Sequence, residues 1–428
     1  MLALPRLWRT CARHRLGRRQ CMSNIAGGNW TKTFGVGQGG RLSLHMPTTA
    51  AAIKIVTKWI DSCQVTISRL PATTTDQSAD KEGTPENNNI DLENLAEHGF
   101  QLTVDQIQVG IVHDGQDDRQ AAGEGWDGAY LVEAVVPELF SVDVLAADGS
   151  VMVVNKLKGD CQIQLTKGNI DVGVIRGEDI RLSTGCGHVA AGELEGSVGI
   201  IGTDVHARLI NGAKVLIDSS GDGSSVTVGG LYSSRADITA AGNILIAACH
   251  GRAAVRTADA KGTVALSSVN GSVQVSTGGG DARVHVDALE EGTRNEIRSE
   301  TGDVLLSMSQ ETSVDMHIEG NIGFLPPAFA GDIGVDKAVG TVVSAGTRPS
   351  QDTCEDLRNS QRDAGGGKIH LDAARKQSLR NYFSKDGASS ILPKLSVLAT
   401  RGKVDLEILS WAEIITRNFL NKSSSSSA

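Results

Sequence analysis

GTVALSSVN, GSVQVSTGG and GDARVHVDA follow one another without a gap from Gly262 to Ala288. Each nine-residue block opens on Gly, continues with a small or polar residue, and places apolar residues at its third and fifth positions. The alternation Val273, Gln274, Val275 sends one face inward and the other to solvent, so each block reads as a short strand. The Gly that opens the next block, with Ser, Asn or Asp beside it, supplies the conformational freedom of a tight corner.

The phrase recurs. GSVMVV, GDCQIQL, GNIDV and GEDIRL start at Gly149, Gly159, Gly168 and Gly177, at intervals of ten, nine and nine residues. A second series starts at Gly242, Gly251, Gly262, Gly271 and Gly280, at intervals of nine, eleven, nine and nine. Further copies open at Gly196, Gly302, Gly331, Gly367 and Gly402. A strand of four or five residues plus a corner comes to about nine. Two or more such units close one coil of roughly 18 to 30 residues, and coils stack as parallel strands about 4.8 Å apart. The expectation is an all-β fold: a single-stranded parallel β-helix, or β-solenoid, with short strands and Gly, Asn and Asp corners.

Composition agrees. Fifty of the 428 residues are Gly, above the usual ~7%, yet Pro numbers only nine and no collagen-like period is present. Aromatics are 4%, so a core must come from Val, Ile, Leu and Ala, residues that stack like on like in a narrow interior.

The pattern divides the chain. Residues 30–75 form an N-terminal strand region, with GGRLSLHM, AAIKIVTKWI and SCQVTISRL reading as antiparallel or early-coil strands. Residues 76–98 are polar and acidic and read as a disordered loop, and 99–330 carry the solenoid repeats, with a second polar break at 113–128. An irregular insertion covers 345–390. Terminal strands and a cap cover 391–420, with Trp411, Ile414, Ile415 and Phe419 on one helical face as a small capping helix. Residues 421–428 read as a disordered tail.

Charge is uneven. Residues 1–22 hold Arg6, Arg9, Arg13, Arg15, Arg18 and Arg19 and no acid, and the first carboxylate of the chain is Asp61. This is the composition of a mitochondrial transit peptide, with Met22 as a start for a second, cytosolic form. The expected address is the matrix. Without the leader, 35 basic stand against 50 acidic residues, a charge of −15. A body that acidic is unsuited to phosphate neutralisation on nucleic acid or to anionic lipid. No run approaches 18 apolar residues, so no membrane span is expected. Seven cysteines without a CxxC pair do not describe a disulfide framework, and those of the body read as reduced.

The run IRSETGDVLLSMSQETSVDMHIEGNIG joins a strand, the phrase TGDV, an alternating strand, a small loop and another strand. It resembles the repeats of the adhesin-like or "toastrack" β-helix family, over about residues 30–330 with the late GKVDLEI strand. With the Arg-rich leader, the chain is similar to the animal family termed family with sequence similarity 185. The resemblance implies a β-helix and brings no catalytic residues.

The search for chemistry gives little. GxSxG and P-loop signatures are absent, and GVGQGG at Gly35 lacks the strand and helix of a dinucleotide fingerprint. Asp160, Asp281 and Asp303 each follow a Gly, which suits corner residues bonding backbone amides better than calcium ligands. Cys186 with His188 and Cys249 with His250 are the close Cys/His pairs, too far apart along a stack to supply three or four zinc ligands. Asp171, Glu178, Asp179 and Arg181 are the acid–base candidates of an alternative, a β-helix enzyme acting on a carbohydrate or small metabolite. The leading expectation names no catalytic, cofactor-binding or metal residue. It is a non-catalytic scaffold that binds a protein partner, with self-association through the solenoid ends as a further option.

Overall fold

A computed structural model describes residues 23–25, 29–36, 39–69, 100–104, 108–113, 130–219, 221, 223–258, 261–309, 312, 314–324, 335–336, 368–369, 393–409 and 413. The expected leader at 1–22, acidic loop at 76–98 and tail at 421–428 lie outside them. So do the insertion at 345–390 apart from Lys368 and Ile369, the second polar break apart from His113, and the capping helix apart from Glu413.

The chain runs through β1 (Ser23–Ile25), β2 (Asn29–Gly35), β3 (Arg41–Lys58), β4 (Ser62–Arg69), β5 (Phe100–Val104), β6 (Gln108–His113) and β7 (Tyr130–Pro137). Then come β8 (Ser141–Leu157), β9 (Cys161–Thr184), β10 (His188–Ile201), β11 (Asp204–Ser219), β12 (Ser225–Ala240), β13 (Ile244–Thr257) and β14 (Val264–Thr277). The last are β15 (Ala282–Leu289), β16 (Arg294–Ser299), β17 (Val304–Ser309), β18 (Asp315–Phe324), β19 (Val335–Asp336), β20 (Lys368–Ile369) and β21 (Lys394–Leu409). All but the β19–β20 pair belong to one sheet of 19 strands.

From β8 to β15 each strand pairs parallel with the next, the pattern of a β-solenoid. One coil advances the chain by 16 residues where His188 faces Asp204, and by 22 where Gln274 faces Glu296. A coil is therefore two of the nine-residue units. One unit builds a first wall and the next a second; β8 and β9 stay paired through the corner at Gly149 and Gly168, and the register of β9 on β10 shifts by one residue at the corner of Gly177 and Gly196.

The interior is made of ladders. Val144, Ile163, Leu182, Ile200, Ile217, Ile238, Val255, Val275, Ile297 and Val397 occupy one inward position of the first wall, and none is more than 3% exposed. Each such side chain contributes roughly 1.5–3 kcal/mol on burial, and none could be buried by its own coil alone. On the first wall the third inward position is partly polar. Thr184 Oγ1 donates to Gly168 O (2.7 Å) and Thr257 Oγ1 to Gly262 O (3.2 Å), so buried hydroxyls satisfy corner carbonyls.

At the corners backbone lies directly on backbone. A Cβ on Gly177 would collide with the carbonyl of Gly159, one on Gly196 with that of Gly177, and one on Gly212 with that of Gly196. The other corner stacks Gly242, Gly262, Gly280, Gly302 and Gly402 in the same way. Gly168 adds a second requirement, a φ of +124° over Gly149.

Both ends of the stack are interleaved. β3 lies between β8 on one side and β6 with β7 on the other: Arg41 faces both Ser141 and Gln108, and Ala51 faces both Gly149 and Tyr130. At the far end β21 lies between β16 with β17 and β18: Lys394 faces Arg294 and Asp315, and Val404 faces Val304 and Ile322. A segment about a hundred residues away in sequence is thus inserted into the ladder at each end. Beyond β7, strands β4, β2 and β1 continue antiparallel, and β5 lies antiparallel on β6.

His45 on β3 holds the N-terminal splice through Nε2 to Asp143 Oδ2 on β8 (3.3 Å). The hydrogen bond to Asp143 raises the His45 pKa above its ordinary 6.5, against the lowering by partial burial. Because the folded value is the higher one, the pair's stability is fully present below the ordinary value and fades as pH rises through the folded one. Unfolding followed from acid to alkaline pH across this range should show that loss, and His45→Gln should flatten it. The glycine corners give a second expectation. Gly177→Ala should cost about 2 kcal/mol or more in denaturant unfolding, through backbone displacement. Gly35→Ala, whose Cβ meets nothing within 4 Å, should stay within about 0.5 kcal/mol.

Candidate functional site

The stack separates the sequence-nominated acids. Asp171 is exposed on the second wall, between Met152 and Ala190 of the adjacent coils. Asp179 and Arg181 lie past the next corner on the first wall, where Arg181 Nη2 holds Asp179 Oδ2 at 2.9 Å. The structure brings these two together, but as an ion pair that occupies both.

The Cys/His pairs stay apart as well. Cys186 and His188 are exposed at the corner entering β10. Cys249 points inward from β13 and burial pushes its thiol up to about 11, while His250 faces out and stacks on Tyr232. Burial drives the thiols of Cys63 and Cys161 up to about 12. Among the described residues no group of three or more His, Cys, Asp or Glu is placed to hold a metal ion.

The corner carboxylates act between coils. Asp160 Oδ1 accepts from Glu178 N and Asp179 N, both at 3.0 Å and both on the next coil. Asp281 Oδ1 accepts from Asp303 N (3.0 Å), and Asp303 Oδ1 from Lys403 N (2.8 Å). Asn169, Asp204 and Asn243 make the same bond to His188, Ser225 and Thr263. The Gly–Asx pairs were visible in the sequence, but a turn residue ordinarily bonds within its own turn. Here the donating amide belongs to the equivalent residue one coil on.

One network was not legible at all. His285 Nε2 lies 3.2 Å from Asp287 Oδ1, and its Nδ1 lies 2.9 Å from Ser307 Oγ. Ser268 Oγ donates to the other Asp287 oxygen, and Thr312 Oγ1 donates to Asp287 O (2.7 Å). Burial works to raise the Asp287 carboxyl, but the bonds from His285 and Ser268 outweigh it and leave it below its ordinary value. Serine, histidine and aspartate in a row suggest a hydrolase, yet the order of exposure is inverted. The Ser307 hydroxyl and the His285 ring are buried, and the Asp287 side chain keeps 35% of its exposure. A nucleophile must meet its substrate, so this set reads as a clamp joining β14, β15 and β17. Ser268 and Ser307 lie about one coil from the His285–Asp287 pair on β15, a spacing that carries no signal until the coil length is known.

A cleft among the described residues lies on the corner after the second wall. It has a volume of about 650 Å³ and a floor of Gly159, Gly177 and Gly196. Lys158, Asp160, Arg176, Glu178 and Glu195 surround it. Arg176 is held by Glu193 (3.1 Å) and Glu195 (3.0 Å), and Lys158 by Glu138 (3.3 Å). The absence of side chains from the floor is the direct result of the glycine stack. Of the acid–base candidates, Glu178 alone lines the cleft.

No protein-family model matches the chain, and no curated protein matches it. A solved structure similar to it is the crystal structure of a "putative adhesin" from Bacteroides fragilis, with 13% identity. The likeness covers 66% of this chain and 98% of that one, at a TM-score of 0.26. Similarity at that level carries no argument, and the solenoid architecture stands on the strand pairing itself.

Asp303→Ala removes the acceptor for Lys403 N at the C-terminal splice and should cost about 1 kcal/mol. Hydrogen exchange at the Lys403 amide should quicken, Asp303→Asn should restore most of the protection, and excess calcium or chelator should leave the wild-type Tm unchanged.

Proposed function

We propose that the protein is a non-catalytic β-solenoid scaffold that binds a protein partner in the mitochondrial matrix. The observation that carries this reading is how the charged side chains are used. Lys54 pairs with Glu133 (3.0 Å), Arg176 with Glu193 and Glu195, and Arg208 with Glu193 (3.6 Å). Each pair joins neighbouring coils, so the charges fasten the wall instead of converging on a reacting atom. Surface pairs of this kind add little stability individually, but they leave a regular face whose basic side chains are held by acids of the next coil. Extended faces of repeat proteins serve as partner surfaces. The matrix address is supported by the six arginines and absent acids of residues 1–22, and the likeness to the animal family by that leader together with the TGDV phrase.

The competing reading, an enzyme acting on a carbohydrate or small metabolite, draws on the acids around the cleft. Against it, Asp160 is committed to two amides and Glu195 to Arg176.

Proximity labelling in cells tests both address and role, comparing the full chain with a form begun at Met22. The full chain should label a small, reproducible set of matrix proteins that the Met22 form does not. Labelling of the same cytosolic proteins by both forms would refute the address. Turnover of a defined substrate by the purified protein, abolished by Glu178→Gln, would refute the non-catalytic reading.

A further inference from the structure

The cleft is the first part of a longer feature. Its floor continues past Gly196 through Gly212, Ser233, Gly251 and Gly271, each lying on the backbone of the one before. Along one rim the residue preceding each floor position forms a register: Arg176 faces Glu195, Glu195 faces Asn211, Asn211 faces Tyr232, Tyr232 faces His250, and His250 faces Asn270. Tyr232 is 42% exposed; Met152, Ile201, Leu216 and Leu245 also project from the walls, but Tyr232 is the aromatic one among them and sits on the rim of this groove. Its ring is stacked on His250 at 4.5 Å between centroids and 4° between planes. At the other end, Trp59 is 72% exposed, with Lys158 Nζ 5.7 Å from its ring centroid. In a chain with five Trp and three Tyr, two exposed aromatics therefore border the same groove.

We propose that this corner groove is the docking site for an extended segment of the partner protein. Six steps of about 4.8 Å separate Gly159 from Gly271, so the floor accommodates about nine residues of extended chain. A floor of glycines, interrupted by the small and largely buried Ser233, admits a backbone closely. Asn211 and Asn270, both exposed, flank the Tyr232–His250 stack and present amides of the type that pair with peptide groups. Exposed Glu178 favours a basic side chain at the Gly177 end, while the exposed edge of Tyr232 offers contact to an apolar one. A sugar ring is the poorer fit, because His250 already covers one face of the Tyr232 platform and much of the rim is charged. The inference rests on the scaffold reading and adds to it a site and a ligand chemistry.

A displayed library of random linear peptides of about 12 residues, long enough to span the groove, is the probe, panned on the full protein. The expected result is enrichment of peptides combining a basic and an apolar residue. Their Kd should rise at least about tenfold, or ~1.4 kcal/mol, in Tyr232→Ala and in Glu178→Lys. The Tm should not change, since both side chains are exposed. Peptides that bind the two variants as well as wild type would overturn the proposal, as would no enrichment at all. A glycan array signal lost in Tyr232→Ala, with no peptide binding, would assign the groove to a carbohydrate and overturn it too. A matrix partner from proximity labelling that binds Tyr232→Ala normally would sink the groove but leave the scaffold standing.

Discussion

Every coil of this molecule must place its backbone directly on that of the coil before it, and the rest of the structure follows from that stacking. Parallel rungs about 4.8 Å apart leave no room for a side chain wherever the chain turns sharply and its carbonyl points along the stack. Gly159, Gly177, Gly196 and Gly212 satisfy that condition at one corner, and the series from Gly242 to Gly402 satisfies it at the other. Between corners the same alignment sets like residue over like, which is why aliphatic ladders dominate the interior, with hydroxyl side chains at the third inward position of the first wall. The Asx side chains complete the scheme by accepting the amide of the following coil.

Side-chain chemistry is consequently distributed along lines. An outward position recurs once per coil, so two groups come together when they share a ladder or occupy neighbouring ones. Arg176 with Glu195, Tyr232 with His250, and His285 with Ser307 are partners of that kind. Residues close in sequence but separated by a corner, such as Asp171 and Asp179, project from different walls. Function in such a fold is read along the stack.

The nine-residue spacing made the repeat, the corners and the inward ladders legible from sequence, because each depends on residues within one unit. Val273, Gln274 and Val275 needed no knowledge of their neighbours. The pairing partners of β3 and β21 were not legible, since periodicity says what a rung contains and not which rung it touches. Nothing in RLSLHM marks it as lying between residues 108–113 and 141–146. The polar network at His285 and the aromatic rim were hidden for a related reason: their members are separated by about one coil, and coil length varies from 16 to 22 residues. A fixed period would have revealed them.

The interleaved ends bear on the order in which the chain can be completed. A plain solenoid zips up as it emerges, each new coil landing on a finished one. Here β18 is made before β21, yet its place in the ladder is on the far side of β21. Until Lys394–Leu409 arrives, β16 and β17 present unpaired strand edges, and β18 has no rung to lie on. An unpaired parallel edge is a template for other chains. The molecule therefore remains open to wrong pairing until one of its last strands is in place, and loss of that single strand would expose two surfaces at once.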